Sequence, residues 1–75
     1  MPVIDIKVIE GVFTDEEKRR MVEDLTEALL KIGGEPMRSA THTLITETPS
    51  GEWAIGGRAL SAADVKAMRS AEATG

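Results

Sequence analysis

The chain has 75 residues, of which 41% are apolar, with nine Lys or Arg, 13 Asp or Glu and a net charge of −4. This length predicts a single domain, residues 1–75, that buries only about 60% of its unfolded surface. The sequence contains no Cys and a single His, His42, which excludes disulfides and argues against a zinc-type site. The acidic balance argues against nucleic acid, and the lack of an 18-residue apolar run argues against a membrane span. We therefore expect a soluble cytoplasmic protein that gains stability by forming an oligomer.

The first predicted element is a β-strand from Pro2 to Glu10, because the segment is rich in β-branched residues. Alternation places one set of side chains on the face of Pro2: Ile4, Ile6 and Val8. The opposite face carries Val3, Asp5, Lys7 and Ile9. Gly11 ends the strand.

A helix is predicted to follow, with Thr14 as its N-cap and Glu17 at the spacing of a capping box. Its apolar stripe recurs with the helical period: Met21, Val22, Leu25, Ala28, Leu29 and Ile32. Gly33 and Gly34 are the predicted stop.

The segment from Thr41 to Glu47 is again β-branched and is predicted to be a second strand. Because a whole helix separates the two strands, we expect a parallel pair joined by a right-handed βαβ connection. One helix covers one face of a sheet, so the face with Val3 and Ile9 is expected to be covered by another subunit.

The sequence EWAIGGR predicts a short hairpin around Trp53 and Ile55, with its turn at Gly56 and Gly57. Ser61 is predicted to cap a last helix that runs to about Ser70, and residues 71–75 are expected to be frayed. The weak apolar stripe of this helix consists of Leu60, Ala63, Ala67 and Ala71. We expect this extension, residues 61–75, to contribute to a subunit interface.

The residue with the clearest chemical potential is Pro2. Removal of Met1 would leave Pro2 with a secondary α-amine, which titrates near neutral pH and is suited to general acid–base catalysis. Apolar neighbours such as Ile4 and Trp53 would lower its pKa further. A retained Met1 would instead make this nitrogen an amide without basicity.

The motif order is similar to that of the 4-oxalocrotonate tautomerase family. The matching features are a proline after Met1 that opens a strand, EG at its end, TDEEK, ITE and an aromatic residue before IGG. They extend from Pro2 to about Gly57. The resemblance implies an α+β subunit of tautomerase/MIF-like fold, assembled as a homohexamer or otherwise as a trimer or dimer. It also implies catalysis by Pro2 on a small enol or keto acid, without a cofactor.

The resemblance carries over unevenly to the other site residues. Trp53 stands where the family has a phenylalanine. The family's arginine after the first strand is missing, because Val12 and Phe13 follow Gly11, and its second arginine corresponds to His42. The available cationic replacements are Lys7, Arg38, Arg58 and His42. We favour Arg58, which a hairpin exchanged between subunits would carry towards a neighbouring site.

Simpler interpretations of these residues remain open. His42 is also consistent with a half-buried, hydrogen-bonded strand residue, Trp53 with an interface anchor and Arg38 with a solvated turn residue. The first functional hypothesis is a tautomerase or isomerase. One alternative is a related proline-dependent hydratase, dehalogenase or decarboxylase of unsaturated acids. The other is a catalytically silent oligomer that lacks the two family arginines, or a subunit of a hetero-oligomer whose partner contributes them.

Overall fold

The computed structural model describes the backbone of residues 1–74 and the side chains of residues 1–71. Its elements are β1 (Val3–Ile9), α1 (Asp15–Gly33), a 3₁₀ helix (Glu35–Ala40), β2 (His42–Thr48), β3 (Trp53–Ile55), β4 (Arg58–Leu60) and α2 (Ala62–Thr74). The predicted α+β order of strand, long helix, strand, hairpin and terminal helix is thereby confirmed. None of the helices in this part of the chain combines the length and apolar character needed to cross a bilayer.

The chain divides into two compact units. The first consists of Met1–Ile6 and Thr14–Thr46, and the second of Lys7–Phe13 and the chain from Glu47 onward. The pairing of β1 with β2 contributes to both. In the first unit the N–H of His42 donates to the carbonyl of Pro2 (3.0 Å), and in the second the N–H of Glu10 donates to the carbonyl of Thr48 (2.8 Å). Like ends of the two strands meet, so the strands are parallel, as predicted.

Helix α1 begins and ends where its sequence signals predict. The Thr14 hydroxyl accepts from the N–H of Glu17 (3.1 Å), and the Thr14 N–H donates to the Glu17 carboxylate (3.0 Å). At the other end Gly34 has φ +96°, a conformation that favours glycine, and its N–H donates to the carbonyl of Leu30 (2.9 Å). The 3₁₀ helix that follows was not predicted.

The predicted inward stripe of α1 is partly wrong. Leu30, which was not included in it, is 6% exposed, whereas Ile32 is 93% exposed and Leu25 42% exposed. Apolar side chains lie on more than one face of this helix, so their period alone does not identify the inward face. Leu30 lies on that face.

The alternating faces of β1 are confirmed except at one end. Val3 is 59% exposed and Leu44 of β2 is 52% exposed, and the Thr46 hydroxyl donates to Asp5 across this outer face (2.8 Å). Ile9 was expected on the exposed face, yet it is only 5% exposed. It belongs to the second unit, where Ala62 lies 3.6 Å from the position of a Cβ on Gly11. Helix α2 thus begins against the segment that follows β1, which periodicity within β1 does not reveal.

The hairpin and α2 complete the second unit. Trp53 pairs with Leu60 and Ile55 with Arg58, and Gly56 and Gly57 form the turn with φ of +59° and +84°. Ser61 caps α2 as predicted: its hydroxyl accepts from the N–H of Asp64 (3.1 Å). Its own N–H donates to the Asp64 carboxylate (2.9 Å).

The extent and the inward face of α2 differ from the prediction. The helix continues to Thr74, beyond the predicted end at Ser70. Within residues 62–71, Ala62 and Val65 are half-buried, whereas Ala63, Ala67 and Ala71 of the predicted stripe are exposed. A run of similar small side chains provides too little contrast to identify the buried face. Gly75, the last of the residues predicted to be frayed, lies outside the described residues.

Candidate active site

Pro2 immediately precedes β1 in the first unit and is half-buried. Its carbonyl accepts the hydrogen bond from the backbone of His42, which anchors the start of β1 to the start of β2. Met1, in contrast, is 82% exposed. Removing Met1 would therefore expose the nitrogen of an anchored proline without the loss of buried packing.

Beside Pro2 lies a groove of about 390 Å³, which we call the Pro2 groove. It is lined by Pro2, Leu29, Ile32, Gly33 and Met37, and all of these are apolar. The turn at Gly34 forms it, because the N–H of Met37 donates to the carbonyl of Gly34 (3.0 Å) and the chain folds back against the end of α1. The position of a Cβ on Gly33 lies 4.0 Å from Cγ of Met37. Proline and an apolar wall are thus brought together in one unit.

Of the other predicted site residues, His42 lies in the same unit as Pro2 and is joined to it through the backbone. The His42 side chain is exposed, so its predicted alternative as a half-buried residue is not what the structure shows. Among the residues that the structure describes, no group of three or more His, Cys, Asp or Glu is arranged to hold a metal ion.

Trp53 and Arg58 lie in the second unit, on the two strands of the hairpin. Because Trp53 opposes Leu60 and Ile55 opposes Arg58, all four side chains lie on one hairpin face. Trp53 is half-buried and Arg58 is exposed. Arg58 lines a cavity of about 420 Å³, the Arg58 groove, together with Ile55, Leu60, Asp64, Ala67 and Met68.

Asp64 brings a carboxylate into the Arg58 groove. The backbone N–H and the hydroxyl of Ser61 hold the pKa of Asp64 below its usual range, and the charge of Arg58 contributes to the same shift. This carboxylate is therefore ionised and already serves as part of the α2 cap.

Arg38 was expected to be a solvated turn residue; it is exposed, and it also joins two elements of the first unit. Its guanidinium donates to both carboxylate oxygens of Glu27 on α1 (2.7 and 3.1 Å) and of Glu35 on the 3₁₀ helix (2.7 and 3.1 Å). These hydrogen bonds lower the pKa of Glu27 and of Glu35 and raise that of Arg38. Arg38 is thus occupied structurally and is a poor candidate for a substrate cation.

Arg69 is a candidate that the sequence did not reveal. In the second unit its guanidinium carbon lies 4.7 Å from the centre of the Phe13 ring, and its Nη1 donates to the carbonyl of Val12 (3.3 Å). Such a contact resembles a cation–π interaction. The sequence shows an arginine in the C-terminal extension and an aromatic residue after β1, but nothing in it indicates that their side chains are in contact.

A family model described as tautomerase enzyme matches residues 2–63. The chain belongs to the tautomerase family. It is accordingly an enzyme of the tautomerase or isomerase type, as the resemblance predicted. No curated protein matches the chain significantly.

Solved structures extend this similarity across most of the chain. Apo unFused 4-OT is 36% identical, with a TM-score of 0.69 and coverage of 79% of this chain and 93% of that one. TomN, a 4-oxalocrotonate tautomerase homologue in the tomaymycin biosynthetic pathway, is 31% identical, with a TM-score of 0.69 and coverage of 93% and 95%. The 4-oxalocrotonate tautomerase isozymes from Methylibium petroleiphilum are 34% identical, with a TM-score of 0.68 and coverage of 85% and 97%.

Proposed function

We propose that this tautomerase interconverts the enol and keto forms of a small unsaturated 2-hydroxy carboxylate, with Pro2 as its general base after removal of Met1. The observation that carries the proposal is the position of Pro2 at the anchored start of β1, beside an apolar groove. Membership of the tautomerase family supports the reaction class. No cofactor is required for the proton transfers.

The Pro2 groove favours the unprotonated form of the Pro2 amine. A secondary α-amine titrates near neutral pH, and apolar surroundings lower its pKa because they disfavour the charged ammonium form. Near neutral pH a substantial fraction of the amine is then unprotonated. This is the form that a general base needs.

The proposed reaction balances as an isomerisation. The Pro2 nitrogen accepts the proton of the substrate's 2-hydroxyl group as the C2–O bond becomes a carbonyl. The electrons of the carbon–carbon double bond at C2 shift away from C2, onto the last carbon of the conjugated double bonds. The protonated Pro2 then donates its proton to this carbon, which regenerates the amine without any other reactant.

A substrate carboxylate needs a cation, and we propose that Arg58 supplies it from the hairpin of a neighbouring subunit. Its exposed guanidinium and its shared hairpin face with Trp53 support this role. In this proposal Trp53 contributes an apolar wall and His42 a polar group beside Pro2.

Arg69 is the second candidate for this cation. It lies against Val12 and Phe13, the segment where the family resemblance leads us to expect an arginine. Separate Arg58→Ala and Arg69→Ala variants distinguish the two, because the KM for the enol carboxylate rises only when the binding cation is removed. An unchanged KM in the Arg58→Ala variant would show that Arg58 does not bind the substrate carboxylate.

The decisive test is ultraviolet measurement of the ketonisation of phenylenolpyruvate and 2-hydroxymuconate by the wild type and by Pro2→Ala. We expect the variant to lose about 10²- to 10⁴-fold in kcat, the usual contribution of a general base. Equal rates would exclude Pro2 as the base. Intact mass spectrometry of the same preparation is the control, because a mass that includes Met1 contradicts the mechanism for that preparation.

The alternative chemistry is a proline-dependent hydratase, dehalogenase or decarboxylase. Product analysis with unsaturated and halogenated acids separates these reactions from tautomerisation, because only the latter conserves the substrate mass. Absence of every activity would favour the catalytically silent oligomer.

We further propose a cytoplasmic homo-oligomer, first a hexamer and otherwise a trimer or dimer. The exposed Val3 and Leu44 on the outer face of the sheet support it. Light scattering tests the assembly, and a monomeric mass would contradict it.

A further inference from the structure

The walls of the Pro2 groove distinguish between possible substrates. Apart from Pro2 itself, its lining consists of Leu29, Ile32, Gly33 and Met37, and none of them carries a charge or a side-chain hydrogen-bonding group. A charged group that enters such surroundings loses hydration without gaining a partner, whereas an apolar group gains from being removed from water. The volume of about 390 Å³ lies within the range of about 300–1,000 Å³ typical of small-molecule sites.

The two cations closest in sequence to the groove are both associated with Glu27. Arg38 directly follows Met37, but its guanidinium is bound by Glu27 and Glu35. Lys31 is two residues from Leu29, a spacing that does not place side chains on the same helix face. Its charge acts on Glu27, one helical turn earlier. A second substrate carboxylate would therefore find no counter-ion in the lining of the groove.

Ile32 gives the groove an apolar surface that is exposed to solvent. It is 93% exposed, although it lies on the wall beside the half-buried Pro2. A substrate whose reacting carbons lie at the Pro2 nitrogen would extend its remaining part over this wall. The part of the substrate furthest from its reacting carbons, which we call its far end, therefore lies against this wall. The chemistry of the wall determines which far-end groups bind well.

We propose that the preferred substrate is a 2-hydroxy-2-enoate with a single carboxylate and an aryl or alkyl group at its far end, which binds in the Pro2 groove. This inference rests on the proposed function, because it assumes that Pro2 is the base. It predicts discrimination against dicarboxylates, in which the far end is charged.

The first test needs only the wild-type protein and a matched series of 2-hydroxy-2,4-dienoates that differ only in the substituent at C5. These far-end substituents are methyl, propyl, pentyl, phenyl and carboxylate, and the carboxylate member is 2-hydroxymuconate. We expect kcat/KM to rise about threefold for each methylene that is buried, and to be at least about tenfold higher for phenyl than for carboxylate. A flat series, or a preference for the dicarboxylate, overturns the inference and leaves the proposed function standing. No turnover of any member overturns both.

The second test places a cation on the wall. Ile32→Arg removes little buried packing because Ile32 is so exposed, and we expect it to shift the phenyl-to-carboxylate ratio of kcat/KM at least about tenfold towards the dicarboxylate. The matched control is Leu25→Arg, two turns earlier on the same helix, 42% exposed and outside the groove lining. Its ratio should stay within about twofold of the wild-type ratio.

Light scattering of both variants completes the design. We expect both to keep the wild-type mass. A lower mass for Ile32→Arg with an unchanged substrate ratio would show that Ile32 is covered by another copy of the chain, which overturns the inference. Equal ratio shifts in the two variants would overturn it as well, because the effect would then be one of general charge.

Discussion

Arg38 in the first unit and Arg58 in the second have opposite electrostatic surroundings. Arg38 donates four hydrogen bonds to the carboxylates of Glu27 and Glu35, at distances from 2.7 to 3.1 Å, and its pKa is raised as a result. Arg58 is exposed on a hairpin strand and lines the Arg58 groove, where the Asp64 carboxylate already accepts a hydrogen bond from the Ser61 N–H (2.9 Å).

The difference shows how the same residue type serves two purposes. To bind a substrate anion, Arg38 would have to give up contacts with two carboxylates that already satisfy its planar donors. Arg58 would not have to give up a comparable set of hydrogen bonds, because the carboxylate in its groove, that of Asp64, accepts from the Ser61 N–H in the α2 cap. Availability of the donors, rather than the presence of a positive charge, is what separates a candidate binding residue from a structural one.

Among the variants that test the difference between these two arginines, Arg58→Ala is expected to have the largest effect, a fall in kcat/KM. A hydrogen-bonded charge pair contributes about 1.5–3 kcal/mol, so we expect kcat/KM for an enol carboxylate to fall about 10- to 100-fold, mainly through KM. Steady-state ultraviolet kinetics measure it.

Arg38→Ala is the matched control for that experiment, because it removes the same charge from the first unit. We expect its kcat/KM to stay within about twofold of the wild-type value. Equal losses in the two variants would abolish the distinction between the two arginines, and a loss confined to Arg38→Ala would reverse it.

A smaller effect is expected on stability at acidic pH. Hydrogen bonds from Arg38 lower the folded-state pKa of Glu27 and Glu35 from the ordinary value of 4.5. Below pH 4.5 the unfolded chain therefore binds more protons than the folded chain. The contribution of these contacts is fully present above that pH and is lost as the pH falls through the lowered folded-state values. Thermal unfolding from pH 7 to pH 3 should show that the Tm difference between the wild type and Arg38→Gln is a few degrees at most and shrinks on acidification.

Arg19→Gln provides the comparison for the pH series, since it breaks a single exposed ion pair with Glu16. Its Tm difference should be the smaller of the two at neutral pH, because only one carboxylate loses a partner. A Tm difference for Arg38→Gln that stays constant down to pH 3 would show that its effect does not depend on ionised Glu27 and Glu35.

Local signals in the sequence predicted most of the fold. Thr14 with Glu17, the glycine pair after α1, and Gly56 with Gly57 each act over a few residues, and the structure confirms each boundary. The parallel strands followed from the helix between them. The 3₁₀ helix was missed because Gly33 and Gly34 were interpreted only as the end of α1.

Contacts between distant parts of the chain account for what was not predicted. Arg69 donates to the carbonyl of Val12, which lies 57 residues earlier in the sequence. Ile9 is buried in the unit that also contains the start of α2. The Pro2 groove likewise depends on a turn at Gly34 that brings Met37 back towards Leu29 and Gly33. Pro2 itself was identifiable from its position in the sequence, whereas the composition of its surroundings required the folded chain.

The smallest expected effect concerns the carboxylate in the Arg58 groove. Asp64→Asn removes the negative charge beside Arg58 but keeps an oxygen that can accept the Ser61 N–H. Because the negative charge beside it is removed, Arg58 should bind an anionic substrate more tightly. We expect KM to fall about twofold at low ionic strength and the gain to disappear near 0.5 M salt, where charges are screened within a few ångströms. Glu52→Gln is the control, because it makes the same charge change in the second unit at a residue that does not line the groove. An equal fall in KM for both variants would attribute the gain to net charge alone, whereas a fall confined to Asp64→Asn would place the substrate anion beside Arg58.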